Sequence, residues 1–196
     1  MTEQELDVRP LRKPHKHPAI FETYRNLEVN DSFVLVNNHD PRHLHDEFEV
    51  EHPGAYGWAY VESGPETWRI QITKLASTAL PRVLTNTAAL SSAAQADASG
   101  AIWNLPMRDR DLDSNVIRLP PGGSIDAHAG PDLDVLIHVI DGTGRLETEL
   151  GTVELSLGDL VWLPRHSRRQ FTGGPEGISY LTVHQRRQSL TLGVTR

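Results

Sequence analysis

The stretch NVIRLPPGGSIDAHAGPDLDVLIHVIDGTGRLETELGTVELSLGDLVWLP, residues 115–164, decides the fold of the second half of this chain. Its apolar runs are short: NVIRL, VLIHVI, RLETEL and DLVWLP. Between them stand the turn signals PPGG, DGTG and LGTVELSLGD. Short strands at regular spacing, broken by Gly and Pro, describe a sandwich or a barrel. The same texture begins with AIWNL and continues past TGGPEG, so an all-β unit is expected over residues 101–196.

Working back from it, residues 75–100 are rich in Ala, Ser and Thr and contain no aromatic residue. That composition marks a linker, with a short helix expected from Thr85 to Ala94. Residues 1–74 have a mixed pattern. Leu6 to Val8 reads as a strand, followed by the loop RPLRKPHKHP. Pro18 suits a first helical turn, and Ile20, Phe21, Tyr24 and Leu27 recur at helical spacing over residues 18–27. Ser32–Asn37 is a buried strand. Asp40 and Pro41 open a second helix as N-cap and first residue, with Leu44 and Phe48 on its apolar face. Two strands close the unit. Trp58 and Tyr60 share a face of one, and Trp68, Ile70 and Ile72 share a face of the other, with Ser63-Gly64-Pro65 between them. The order β-α-β-α-β-β predicts a two-layer sandwich with both helices on one face of one sheet. The chain is thus expected to be a two-domain α+β protein.

Bulk properties narrow the function. The net charge is −7 and neither half is basic, which argues against nucleic acid as a partner. No apolar run reaches the length of a membrane span, and MTEQELDV lacks the features of a secretory leader, so a cytoplasmic protein is expected. Without cysteine there is no disulfide, thiolate nucleophile or zinc knuckle. Six of the ten histidines fall between His15 and His52. His17 and His39 each lie near an expected helix start, and a right-handed crossover brings both starts to one sheet edge together with Arg9 and Lys13. Helix N-termini attract anions, and paired imidazoles bind transition metals or haem. Two alternatives stand: a shared ligand site, or histidines that only hydrogen-bond their loops. His43, His45 and His52 are expected on a solvated helix face.

The segments LDVRPLRKP, HPAIF, NNHDP and GPETWRI resemble the domain-of-unknown-function family 2249, a branch similar to the TusA/SirA sulfur carriers. The resemblance covers residues 5–74 and implies the same two-layer sandwich. It also implies a link to nitrogen-oxide and respiratory contexts, beside haem or di-iron proteins. The carriers hold a persulfide on a cysteine where this chain has Lys13, so sulfur transfer by that route is excluded.

Residues 112–185 resemble the cupins in motif skeleton. Gly122, five residues and His128 match the first motif, and Gly158, five residues and Pro164 match the second. At the remaining ligand positions stand Gly130, Val135 and Arg169, so of four metal ligands only His128 survives. One imidazole does not hold a catalytic metal. Asp132, Asp134 and His166 are candidate replacement ligands, whereas His138 has the wrong strand parity for the lumen. Arg169 in a ligand position offers a second chemistry. A fixed guanidinium beside His128, with Arg165 or Arg168 at the rim, suits a small carboxylate or oxyanion. The alternative is that Arg169 pairs with an internal Asp, or that the basic cluster faces a partner. Trp162 is expected in the core, and the repeated Asp-Leu-Asp at 111–113 and 132–134 is read as strand-end capping.

Three functions follow. The first is a binding or sensing protein that takes a metal or haem at the His17/His39 edge, or an anion in the barrel. The second is a metal-dependent cupin enzyme of oxygenase or isomerase type. The third is an interaction scaffold. Neither half carries a complete catalytic set, which leans away from an enzyme. The cupin resemblance further implies a homodimer through the barrel.

Overall fold

The computed structural model describes residues 4–186. The chain divides between Arg82 and Val83 into two compact units. The expected second domain ended at residue 196, and its residues 187–196 lie outside the described residues.

The first unit contains β1 (Gln4–Asp7), α1 (Lys13–Asn26), β2 (Ser32–Asn37), α2 (Arg42–Glu51), β3 (Tyr56–Ser63) and β4 (Trp68–Lys74). The sheet order is β1-β2-β4-β3, with β1 parallel to β2 and the other pairs antiparallel. Alternation along β2 sends Phe33 and Leu35 to one face. There they join Ile70 and Ile72 of β4, Ile20 and Tyr24 of α1, and Leu44 and Phe48 of α2 in one core. Both helices therefore cover the same face. Lys74, at the end of β4, is buried and donates from Nζ to the carbonyls of Arg25 and Leu27 at 2.8 and 2.7 Å. A cation thus satisfies the orphan carbonyls at the end of α1.

Three local expectations are corrected. Helix α1 begins at Lys13 rather than at residue 18, because Pro14 takes the first-turn place where a missing N–H costs nothing. Pro18 then lies inside the helix, and His17 sits in its second turn rather than before its start. Asp40 does not cap α2, whose N-cap is Pro41 without a side-chain bond. Its carboxylate instead accepts from Arg42 Nε at 2.7 Å and from the Tyr60 hydroxyl at 2.9 Å. His45 and His52 are half-buried rather than on a solvated face. His45 stacks on Trp58 with ring centroids 4.6 Å apart, and His52 lies 4.9 Å from the Tyr24 ring. Flat imidazoles are drawn onto the aromatic cluster of Tyr24, Phe48 and Trp58.

The second unit contains α3 (Thr87–Ala93), β5 (Gly100–Asn104), β6 (Leu112–Leu119), β7 (Ser124–Ala129), β8 (Val135–Glu147), β9 (Thr152–Ser156), β10 (Leu160–Leu163) and β11 (Arg168–Gln185). Asn86 caps α3, accepting from the Ala89 amide at 3.0 Å. All strand pairs are antiparallel, in the order β10-β8-β11-β6-β5, with β7 added on β11 and β9 on β8. The long strands β8 and β11 pair along both of their halves, with a register shift between Gly173 and Ile178. At that bend Gly142 has φ +71°, and a Cβ there would lie 2.2 Å from the Gly177 carbonyl oxygen. Only glycine permits both the left-handed backbone and the close strand crossing. The two halves face each other, because Val135 and Ile137 from one half of β8 share a core with Leu146 from the other and Phe171 from β11.

Trp162 is not in the core. It is 62% exposed, because alternation on β10 buries Leu163 and turns Trp162 outward with Leu160. Replacing Gly142 with alanine is expected to destabilise the barrel by about 2 kcal/mol or more. Denaturant unfolding checks this, and an unchanged midpoint would show that the bend does not depend on this residue.

Candidate functional site

The lumen of the barrel is built on the inward-facing residues of β6, β7, β8 and β11. It forms an open pocket of about 220 Å³. Ile117, Ile125, Val135, Ile137 and Phe171 supply apolar wall, while Asn115, His128, Arg169, Tyr180, Thr182 and His184 supply polar groups. His138 is exposed on the outside, as its parity requires.

Arg169 is the decisive residue. Two arginines of this unit are buried among the described residues, Arg118 and Arg169. Arg118 approaches Asp141 at 3.5 Å and donates to Ser179 Oγ at 3.0 Å. Arg169 is only 5% exposed and, among the described residues, has no carboxylate beside it; the titratable group acting on it there is the Tyr180 phenol. Burial draws the guanidinium below its usual pKa, yet an arginine stays protonated at neutral pH. Burial likewise pushes the Tyr180 phenol well up, with Arg169 pulling the other way. Tyr180 is thus a neutral O–H donor, held in place by stacking on Phe171 at 5.3 Å.

His128 stands directly opposite Arg169 in the β7–β11 register. Its Nδ1 donates to the Asp126 carbonyl at 2.8 Å, which leaves Nε2 as the free ring nitrogen of the neutral form. Gly130 makes room for the pair. A Cβ at this position would lie 1.9 Å from Arg169 Nη2, so the guanidinium fills the space that any side chain at 130 would need.

The cupin-type metal ligand set does not fit these residues. A fixed cation occupies the fourth ligand position, and Val135 and Gly130 offer no donor atom. The replacement ligands do not converge on His128 either. Asp132 pairs with His166 Nε2 at 3.1 Å on an exposed rim. Asp134 accepts from the Arg165 amide at 2.9 Å, which holds its carboxyl below the usual range, and it pairs with the Arg165 side chain at 3.4 Å. Asp134 therefore serves as a loop cap, while Asp113 pairs with Arg110 at 2.9 Å.

In the first unit, Lys13, His17 and His39 line one cavity of about 540 Å³. Arg9 is not among its lining residues, and pairs with Asp7 at 2.7 Å. His17 Nδ1 lies 3.0 Å from Glu47, and His39 Nδ1 lies 2.9 Å from Asn38 Oδ1. Among the described residues, no three His, Asp or Glu side chains gather as a metal site would require.

Residues 5–74 match the family described as uncharacterized conserved protein (DUF2249). No curated protein matches the sequence. The solved structures it resembles include cupin-fold proteins. A cupin protein from Bacteroides fragilis is 18% identical, with 53% of this chain and 93% of that one covered and a TM-score of 0.40. A cupin-2 domain containing protein from Shewanella frigidimarina is 16% identical, with coverages of 53% and 95% and a TM-score of 0.41. The polyketide cyclase RemF from Streptomyces resistomycificus is 21% identical, with coverages of 48% and 70% and a TM-score of 0.40. Among the described residues, no helix is long and apolar enough to cross a membrane.

Sequence reasoning reached Arg169 and His128 but missed Tyr180, Thr182 and His184. Their shared parity along one strand was the available signal. Register shifts between Gly173 and Ile178 and between Ser179 and Tyr180 hide that signal, because parity is not conserved across a bulge. Substituting Gly130 with alanine is expected to displace the Arg169 guanidinium. The variant should fold, as judged by circular dichroism, and should lose any ligand response that depends on Arg169.

Proposed function

We propose that this protein is a small-ligand binding or sensing protein whose barrel takes a small anion, with a carboxylate as the best match. The single observation that carries this reading is the buried, carboxylate-free guanidinium of Arg169 in the lumen. An unpaired buried charge is costly, and a ligand that brings the counter-charge removes the cost. A planar guanidinium matches a planar carboxylate through two parallel hydrogen bonds. Tyr180 and His128 supply further polar contacts, and the apolar wall suits a short carbon chain. An open pocket of about 220 Å³ suits a small ligand.

In this reading the first unit is a TusA-like sandwich in which Lys13 has replaced the sulfur-bearing residue. It serves as a second ligand-capable or partner-facing module in a cytoplasmic protein of redox or nitrogen-oxide metabolism. We further read the protein as a homodimer formed through the barrel. The exposed apolar row of Leu136, Leu160 and Trp162 supports this, with Trp162 directly opposite Leu136 in register. Light scattering of the full chain should give a dimer mass, and Trp162→Arg should give the monomer; an unchanged mass would remove this face from the interface.

Thermal unfolding with a panel of small mono- and dicarboxylates and inorganic oxyanions tests the binding reading. At about 100 times its dissociation constant, the right anion should stabilise the protein by about 2.7 kcal/mol. Arg169→Met should abolish that response while leaving the ligand-free protein as stable as before or more so, since a buried unpaired charge is gone. A response that survives Arg169→Met would overturn the proposal. A near-stoichiometric metal in untagged protein, lost in His128→Ala, would favour the metal-dependent enzyme instead.

A further inference from the structure

The lumen holds acceptors as well as the Arg169 cation. His128 and His184 both line it. Each ring is tied through Nδ1 to a main-chain carbonyl at 2.8 Å, that of Asp126 for His128 and that of Gln185 for His184. A carbonyl only accepts, so each Nδ1 carries the proton, and the neutral form of each ring presents Nε2 as an acceptor. The Thr182 hydroxyl is different. It accepts from the Asn115 amide at 3.2 Å and donates to the Asn115 carbonyl at 3.3 Å, so it is used within the wall.

The two imidazoles stand differently toward the cation. His128 is directly opposite Arg169 in the β7–β11 register, so both side chains leave the sheet on the same face. The guanidinium then reaches to Gly130, where its Nη2 lies 1.9 Å from the place a Cβ would take. Along this edge the order is the Asp126 carbonyl, the His128 ring and the guanidinium. The two ring nitrogens point away from each other. With Nδ1 turned back to Asp126, Nε2 is turned toward the guanidinium. His184 belongs to another part of the wall, paired in register with Val135 of β8 and Asp113 of β6.

A cation beside an acceptor is only half satisfied by a plain carboxylate. Its oxygens accept from the guanidinium, but one turned toward Nε2 would set lone pair against lone pair. A hydroxyl on the carbon next to the carboxylate removes that conflict. It lies beside a carboxylate oxygen, so it comes to Nε2 when the carboxylate seats on Arg169, and it donates.

Resting on the carboxylate reading of the lumen, we propose that the pocket selects 2-hydroxycarboxylates, with the carboxylate on Arg169 and the 2-hydroxyl donating to His128 Nε2. His128 is then a specificity-determining residue. A 2-amino acid is disfavoured, because its ammonium group would arrive as a second cation beside the guanidinium. A dicarboxylate is disfavoured, because its second anion would meet imidazole lone pairs or the hydrocarbon of Ile125, Val135 and Ile137.

Calorimetric titration of the full chain with butyrate, 2-hydroxybutyrate, 3-hydroxybutyrate and 2-aminobutyrate tests this at one chain length. 2-Hydroxybutyrate should bind about ten-fold more tightly than butyrate, the worth of one hydrogen bond to an otherwise unmade acceptor, and 3-hydroxybutyrate should gain less than about two-fold. His128→Phe should erase the advantage of the 2-hydroxyl and keep butyrate binding. His128→Gln, whose Oε1 accepts, should restore part of it. His128 is exposed, so neither change threatens the fold. His184→Phe should leave the advantage intact. Equal binding of butyrate and 2-hydroxybutyrate, both lost in Arg169→Met, would overturn the hydroxyl selection and leave the carboxylate reading standing. An advantage that survives His128→Phe, or that is lost in His184→Phe, would overturn the role of His128. Failure of every carboxylate to bind, or binding that survives Arg169→Met, would remove the carboxylate reading and the 2-hydroxyl selection together.

Discussion

The crossing of two long strands at glycines governs the second unit. Gly142 and Gly177 approach so closely that no Cβ fits between them, and β8 and β11 bend there from one layer of the barrel into the other. This bend turns Val135, Ile137, Phe171 and Tyr180 toward a common interior. It also carries Arg169, on one half of β11, and Tyr180, on the other, into the walls of the same cavity. Without the bend, residues eleven positions apart on one strand would lie more than 30 Å from each other at about 3.3 Å per residue.

The lumen and the cavity of the first unit present charge in different ways. In the lumen a single guanidinium is desolvated with no carboxylate beside it among the described residues, and its surroundings are a neutral phenol, imidazoles, other uncharged polar groups and hydrocarbon. In the first unit Lys13, Lys16, His17 and His39 line a larger space together with Asp40, and Glu47 lies 3.0 Å from His17. A buried, fixed cation rewards a ligand of one shape. A diffuse set of donors rewards charge and tolerates variety in the rest of the ligand.

Much of the fold was legible in the residues because local rules and burial agreed. Ser32–Asn37 is strand along its full expected length, since a β-branched run between turn signals has one good solution. The β-α-β-α-β-β order followed from period and punctuation alone. Helix starts were less legible. Two prolines four residues apart, Pro14 and Pro18, each satisfy the rule for a first turn, and only packing against the sheet selects the earlier one. His45 and His52 show the same limit, because a polar residue at an exposed-looking position can be recruited by aromatic rings that are distant in sequence.

By itself, the sequence determined which chemistries are absent and which residues hold the ligand positions of the barrel. It contains no cysteine, and at positions 130, 135 and 169 it places glycine, valine and arginine. Residue identity is sufficient for such statements, because a side chain without a donor atom cannot ligate a metal in any conformation. The tertiary structure alone decided that Arg169 has no carboxylate beside it among the described residues and that Gly130 leaves room for its guanidinium. Pairing and desolvation depend on what the fold brings within a few ångströms, and sequence separation does not encode that distance.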